Sequence, residues 1–419
     1  MGPPRFGPAL ALALLAGLLA SACATLPIYR YRPQLTEPGA DLLAALTVAS
    51  GNEAVDGNAV VLLENGARAF PAMLEAIRSA TSSVHLETFI FRDGEIGRSF
   101  VDALAERARG GVKVRLLLDA IGSSGFGAEN TKRLQEAGAR VVFFRPPSLA
   151  SFRRSFLRTH RKILIVDGGV GFTGVACIDD AWTGDADRSD HWRDTEVRVE
   201  GPVVRQMQAS FARTWLEATG DLLSARDLYP DLPDSGDVNC QVMDSTPAAS
   251  SNPARLSFLI SVAGARHTID ATIAYFVPDR EARRALESAA RRGVRVRLLL
   301  PGRNTDLPTL RFAGRTEYGA LLRAGVEIYE YQPARLHAKT LVVDGRWASI
   351  GSANIDHRSF RWNYESNLNV FDEAFAAEME SMFERDLARS LRVSLEEWTH
   401  RPCSERLREW FSGLFRAQY

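Results

Sequence analysis

Lysine is nearly absent from this sequence. Only Lys113, Lys132, Lys162 and Lys339 occur in 419 residues, so almost all the positive charge is arginine. Where such a chain keeps a lysine, a site that needs a compact ammonium rather than a planar guanidinium is the first thing to look for. Net charge is absent too: 51 basic residues balance 51 acidic ones. That argues against a protein whose main work is coating nucleic acid. Cysteine is scarce, and Cys23, Cys177, Cys240 and Cys403 show no metal-ligand spacing. With Cys23 set aside an odd number remains, so no disulfide framework is expected. The apolar and charged fractions are ordinary, which excludes disorder and collagen-like repeats, and the length exceeds what one core usually serves.

The apolar stretch from Ala9 to Ala20 is too short to span a bilayer as a helix. With Arg5 before it and Ser21-Ala22-Cys23 after it, it has the basic start, apolar middle and small-residue exit of an export signal. Ala20-Ser21-Ala22-Cys23 resembles a bacterial lipobox, with Ala20 where leucine usually stands. The expectation is export, with Cys23 lipidated and the folded part held at a bacterial membrane outside the cytoplasm.

The rest of the chain repeats itself. Arg109-Gly110-Gly111-Val112-Lys113-Val114-Arg115-Leu116-Leu117-Leu118 is echoed by Arg291-Arg292-Gly293-Val294-Arg295-Val296-Arg297-Leu298-Leu299-Leu300. Residues 134–144 and 322–331 form a second helix–glycine–strand echo. Alternating helices and apolar strands predict α/β layers, with helices flanking a largely buried sheet.

A third echo carries the chemistry. His160-Arg161-Lys162 is followed by four residues and Asp167-Gly168; His337-Ala338-Lys339 is followed by four residues and Asp344-Gly345. On a strand, residues two apart share a face, so each histidine projects with its lysine. Asp-Gly then turns the chain into a partner strand. Seven histidines and four lysines in this length would place about 0.07 His-x-Lys pairs by chance. Two are present, at matching places in a duplicated pattern.

With these motifs the sequence resembles the phospholipase D superfamily, and within it bacterial cardiolipin synthases. Leu62-Leu63-Glu64-Asn65-Gly66, residues 86–91, Trp192-Arg193-Asp194-Thr195, Gly351-Ser352-Ala353-Asn354, Arg358-Ser359-Phe360 and Asn363-Tyr364-Glu365 carry the likeness over residues 58–415. It implies two duplicated lobes, each a mixed, largely parallel sheet flanked by helices, packed as a monomeric pseudo-dimer. The expected boundaries are a signal at 1–22, an arm at 23–57, lobes at 58–232 and 233–398, and an amphipathic C-terminal helix at 399–419.

The resemblance makes His160, Lys162, His337, Lys339, Asp167 and Asp344 the catalytic set. Ser352 and Asn354 would line the phosphate site, with Glu365 and Asp194 orienting the rings. The first half departs from the pattern, since Val175 and Cys177 stand where Ser352 and Asn354 do. The implied reaction is phosphatidyl transfer through a phosphohistidine, making cardiolipin from phosphatidylglycerol with no cofactor and no metal ion. The partner is a phospholipid membrane, with no obligate nucleic acid. Hydrolysis of phospholipid, or of nucleic acid, uses the same two motifs and stays open at this stage.

Other residues receive plainer expectations. His85, His267 and His400 lack partners and are read as core or surface, while His191 and His357 lie near the motifs. Phe89, Phe91, Tyr275 and Phe276 follow strand patterns and are read mostly as core, with substrate contact as the alternative. Arg153, Arg154 and Arg158 are read as a solvated cluster, with contact to lipid headgroups as the alternative. Leu407, Trp410, Phe411, Leu414 and Phe415 fall at helical spacing among arginines, a stripe that docks either on the protein or in a membrane interface.

Overall fold

Each helix–glycine–strand echo folds as one layer of an α/β lobe. The computed structural model describes residues 40–148, 156–223, 228–247 and 252–416, so the export signal, Cys23, Arg153 and Arg154 lie outside the described residues. In the first half the strands are β1 (Val55–Glu64), β2 (Ser83–Thr88), β3 (Lys113–Asp119), β4 (Arg140–Phe144), β5 (Arg158–Thr159), β6 (Ile163–Val166), β7 (Val170–Gly174), β8 (Trp192–Arg193) and β9 (Thr195–Glu200). The second half supplies β10 (Val238–Ser245), β11 (Thr268–Ile273), β12 (Arg295–Pro301), β13 (Glu327–Tyr331), β14 (Arg335–Leu336), β15 (Lys339–Val343), β16 (Trp347–Gly351), β17 (Asn363–Phe371) and β18 (Ser390–Val393).

The two halves have the same strand order. One runs β4-β3-β2-β6-β7-β9-β1, the other β13-β12-β11-β15-β16-β17-β10, and an antiparallel β1–β10 ladder joins them into one sheet. Residues 35–419 accordingly form one compact unit. The sheet is mixed, but the expectation that it is largely parallel is corrected. Only β2–β3–β4 and β11–β12–β13 are parallel within the lobes, because helices cross over between those strands. The motif strands and their neighbours close through hairpins and pair antiparallel.

Burial holds the halves together. Leu116, Leu117, Leu118, Leu298 and Leu299 are fully buried, each contributing roughly 1.5–3 kcal/mol of transfer free energy. One core cluster runs across the seam, packing Val197, Val199 and Phe211 with Val242, Ile350, Leu368 and Val370. The arm expected at 23–57 is part of the fold from residue 40 onward. The helix Ala40–Ser50 packs on the helix Pro253–Gly264, and β1 begins at Val55. Among the described residues no helix is long and apolar enough to cross a membrane.

Both Asp-Gly pairs make the turns their chemistry predicts. Asp167 and Gly168 have φ of 51° and 65°, and Asp344 and Gly345 have φ of 54° and 62°. These are type I′ hairpin turns. The left-handed aspartates are compensated by hydrogen bonds. The Asp167 carboxylate accepts from the backbone N–H groups of Thr81, Ser82 and Ser83, each at 2.8 Å. Asp344 accepts from Arg266, His267 and Thr268 at 2.7–2.9 Å.

Candidate active site

Each motif histidine is placed by the other half of the chain. Strand β5, just before His160, pairs in parallel with the start of β17, and the His160 N–H donates to the Tyr364 carbonyl at 2.9 Å. Strand β14, just before His337, pairs in parallel with β8, and the His337 N–H donates to the Arg193 carbonyl at 2.9 Å. These short ladders set each ring beside the carboxylate that follows on the partner strand. His160 Nδ1 lies 2.9 Å from Glu365 Oε2, and His337 Nδ1 lies 2.8 Å from Asp194 Oδ2. With Nδ1 held, each neutral ring carries its proton there, and Nε2 is the nitrogen left for chemistry.

The rings meet on one cavity. A space of about 450 Å³ is lined by both His160 and His337, and by Phe89, Tyr275, Cys177 and Asn354. The lysines are buried and do not line it, each donating from Nζ to the carbonyl of its own motif histidine at 2.7 Å. Lys162 Nζ lies 5.7 Å from the Phe89 ring centroid and Lys339 Nζ lies 5.5 Å from that of Tyr275. Arg335 and Arg358 also line the cavity, and neither is within ion-pairing distance of a carboxylate among the described residues.

Electrostatics make this a site for an anion. Burial, then the neighbouring ammonium groups, push His160 down to about 4 against the pull of Glu365. Burial and Lys339 push His337 down to about 3 against Asp194. Each ring also feels the lysine of the opposite half, so the two motifs share one field. Burial brings Lys339 down to about 7. Burial alone would raise Asp194 and Glu365, but the facing imidazoles and lysines hold both carboxyls below the ordinary range. An arriving phosphodiester would supply the negative charge that lets both an imidazolium and the ammonium groups persist.

Several expectations change here. Asp167 and Asp344 do not reach the cavity: they lie five residues past their lysines, roughly 16 Å along a strand, and bond backbone amides at its far end. Their carboxylates tie the hairpin, as the Asp-Gly pattern predicts. Ser352 is fully buried and does not line the cavity; its hydroxyl donates to Glu365 Oε2 at 2.5 Å. Asn354 does line it, with its side-chain carbonyl accepting from the Tyr275 N–H at 3.1 Å. Glu365 and Asp194 each hold the Nδ1 of a motif ring, but across the halves. Arg158 is no solvated charge, since it is buried and paired with Asp119 at 2.8 Å. Phe91 and Phe276 are core, whereas Phe89 and Tyr275 face the cavity. His191 and His357 do not line it.

Some contributors were missed. Trp182 Nε1 donates to Asp194 Oδ2 at 2.8 Å, and Trp182 and Trp192 flank the His337 ring at centroid distances of 5.4 and 5.2 Å. Ser359 Oγ donates to Glu365 Oε1 at 2.8 Å. Trp192 and Ser359 stood inside stretches that carried the resemblance; Trp182 had no sequence signal.

Two like lobes, each offering a His-x-Lys strand to one shared cavity, define the architecture of the phospholipase D superfamily. The family model described as "Cardiolipin synthase, PLD-like domain" matches the chain twice, at residues 73–215 and 259–387. The chain belongs to this family. It is 39% identical over 351 residues to cardiolipin synthase A of Pseudomonas fluorescens (strain Pf-5), covering 82% of this chain and 72% of that one. It is 32% identical over 389 residues to the major cardiolipin synthase ClsA of Bacillus subtilis (strain 168), covering 92% and 80%. Among solved structures, the phosphatidylserine synthase of Haemophilus influenzae Rd KW20 superposes with a TM-score of 0.64 at 12% identity, covering 90% of this chain and 98% of that one. The polyphosphate kinase of Porphyromonas gingivalis superposes at 0.54 and 15% identity, covering 85% and 53%. These two likenesses show the fold.

Proposed function

We propose that the protein is a phosphatidyltransferase that joins two phosphatidylglycerols into cardiolipin through a phosphohistidine. The observation that carries the reading is the pair of rings on one cavity, each with Nδ1 held by a carboxylate and Nε2 left free. His160 Nε2 attacks the donor phosphorus, forming a P–N bond. The bond from phosphorus to the glycerol headgroup oxygen breaks, and His337 Nε2–H protonates that oxygen as glycerol leaves. His337, now neutral at Nε2, takes the proton of the acceptor's headgroup hydroxyl, which attacks phosphorus and releases His160. Lys162 and Lys339 offset charge on the non-bridging oxygens. Arg335 and Arg358, unpaired at the same cavity, suit the phosphate of the second lipid.

Export and lipidation at Cys23 belong to the same reading: they would hold this site against a bacterial membrane outside the cytoplasm, where both substrates are bilayer lipids. The support is the apolar run and the Ala20-Ser21-Ala22-Cys23 stretch. Mass spectrometry of products from phosphatidylglycerol tests the reaction. Cardiolipin and free glycerol are expected; phosphatidic acid alone would assign hydrolysis instead, and no turnover of phosphatidylglycerol would overturn the proposal. An acid-labile phosphohistidine trapped during turnover checks the intermediate.

A further inference from the structure

The C-terminal helix, Cys403–Gly413, is mounted inside out. Its buried residues are Glu409, 2% exposed, and Ser412, whereas Leu407, Trp410, Phe411 and Leu414 are 64, 63, 57 and 60% exposed. The orientation is fixed by charge. Glu409 Oε1 accepts from Arg315 Nε at 3.1 Å, and Glu409 Oε2 lies 2.8 Å from an Arg401 guanidinium nitrogen. Arg315 also pairs with Glu405 at 3.2 Å and with Glu330. Rolling the apolar face inward would break this ion-pair network and leave buried charges unpaired. The stripe therefore stays outward, a cost in water unless something apolar covers it.

We infer that this helix is an interfacial membrane anchor that sets the cavity mouth on an anionic lipid surface. Two further observations choose the bilayer over other occupants. Arg406 and Arg408 are exposed beside the stripe and have no carboxylate within ion-pairing distance among the described residues. A row of aromatic and aliphatic side chains flanked by free arginines complements acyl chains under anionic headgroups. The helix that carries the stripe is also one helix away from the site. The helix packs on the helix Pro308–Arg315, with the Arg408 guanidinium 6.0 Å from the Phe312 ring centroid. That helix and the residue before it supply Leu310 and the exposed Leu307 to the cavity wall. The inference rests on a lipid substrate for its purpose, but not for its binding test.

Trp410 is 63% exposed, whereas Trp182, Trp192, Trp215, Trp347 and Trp398 are buried and Trp362 is 36% exposed, so the signal of Trp410 is the part that Trp410→Phe removes. The full chain is mixed with vesicles of brominated phosphatidylglycerol or brominated phosphatidylcholine. Fluorescence quenching is expected, stronger with phosphatidylglycerol, and lost in Trp410→Phe. A second variant, Leu407→Glu with Phe411→Glu, keeps the polar face. It should lower turnover of vesicle phosphatidylglycerol at least roughly tenfold, since two apolar side chains that the bilayer would cover are lost, while turnover of a short-chain, monomeric phosphatidylglycerol stays unchanged. Quenching without turnover of any lipid would keep the anchor and sink the proposed reaction. Unquenched Trp410 overturns the anchor. So does a dimer that the double variant dissociates, or iodide protection of Trp410 that vanishes when residues 1–34 are removed.

Discussion

The two catalytic rings are held by carboxylates in unlike company. Glu365, behind His160, also accepts from Ser352 Oγ at 2.5 Å, Ser359 Oγ at 2.8 Å and Asn363 Nδ2 at 3.2 Å. Asp194, behind His337, accepts instead from Trp182 Nε1 at 2.8 Å and from the Thr195 N–H at 3.0 Å. Hydroxyls rotate and can donate or accept; an indole N–H and a backbone N–H can only donate. The first ring therefore leans on an adjustable network and the second on a rigid one between two tryptophans. On the roles proposed above, the adjustable support suits a nucleophile that must gain and lose a phosphatidyl group, and the rigid one suits an acid–base that must keep one geometry through both steps.

The largest effects should fall on the rings. His160→Ala and His337→Ala are each expected to lower phosphatidyl transfer by roughly three orders of magnitude or more. The comparison predicts a split with a diester carrying a p-nitrophenol leaving group, which needs no proton to depart. His337→Ala should recover phosphohistidine formation on this substrate, and His160→Ala should not. The reverse pattern, read by the nitrophenolate burst, would exchange the two roles.

Next come the carboxylates. Asp194→Asn has one carbonyl for donors that meet both carboxylate oxygens, so its NH₂ must face a donor that cannot turn, and transfer should fall roughly 10²- to 10⁴-fold. Glu365→Gln faces Ser352 and Ser359, whose hydroxyls can turn to accept from the new amide, and should lose roughly ten times less. Kinetics of both variants at one pH, with near-ultraviolet circular dichroism to confirm folding, give the ratio. Equal losses would remove the distinction between the networks.

These partnerships also mark where the sequence stops being legible. The two lobes, the hairpin turns and the His-Lys pairs follow from local pattern, because glycine stops, strand alternation and Asp-Gly turns act within a few residues. The crossing of carboxylates does not. Asp194 follows His160 by 34 positions and Glu365 follows His337 by 28, which suggests pairing within each half. What decides is the pairing of β5 with β17 and β8 with β14, two-residue ladders whose strands carry too little pattern to show a partner. The same holds for Ser352, whose place in a motif marks it as important without showing that it faces Glu365 rather than the cavity. The inverted C-terminal helix is legible as a stripe, but its outward direction depends on Arg315, far away in the chain.

A smaller effect concerns charge on the second motif. Burial brings Lys339 down to about 7, so its ammonium is present below that pH and lost above it. In the free enzyme kcat/KM for an anionic lipid should fall as pH rises from 6 to 9, approaching about tenfold per unit well above the pKa. Lys339→Met should flatten that limb at a low value. A limb unchanged in the variant would assign the titration to another group.

The smallest effect should come from Glu196, where the first half substitutes a buried acid for the second half's Asn367. Glu196 Oε2 accepts from the Val175 and Ala176 N–H groups at 2.9 and 3.1 Å, as Asn367 Oδ1 accepts from the Ala353 N–H at 3.2 Å. Burial pushes Glu196 up to about 8, so near neutrality it is a protonated carboxyl in an amide's place. Glu196→Gln should then leave transfer at pH 7 within about twofold, since neither charge nor shape changes. Stability separates the two proteins with a definite sign. The unfolded chain releases this proton in the ordinary carboxylate range while the folded chain keeps it to about 8, so the native protein loses stability as pH rises through that window. The variant lacks that loss, and the difference in Tm between variant and native protein should grow in the variant's favour from pH 5 to pH 8. A constant difference would mean that Glu196 is already ionised beside Lys162, and the two halves would then differ in charge as well as in hydrogen bonding.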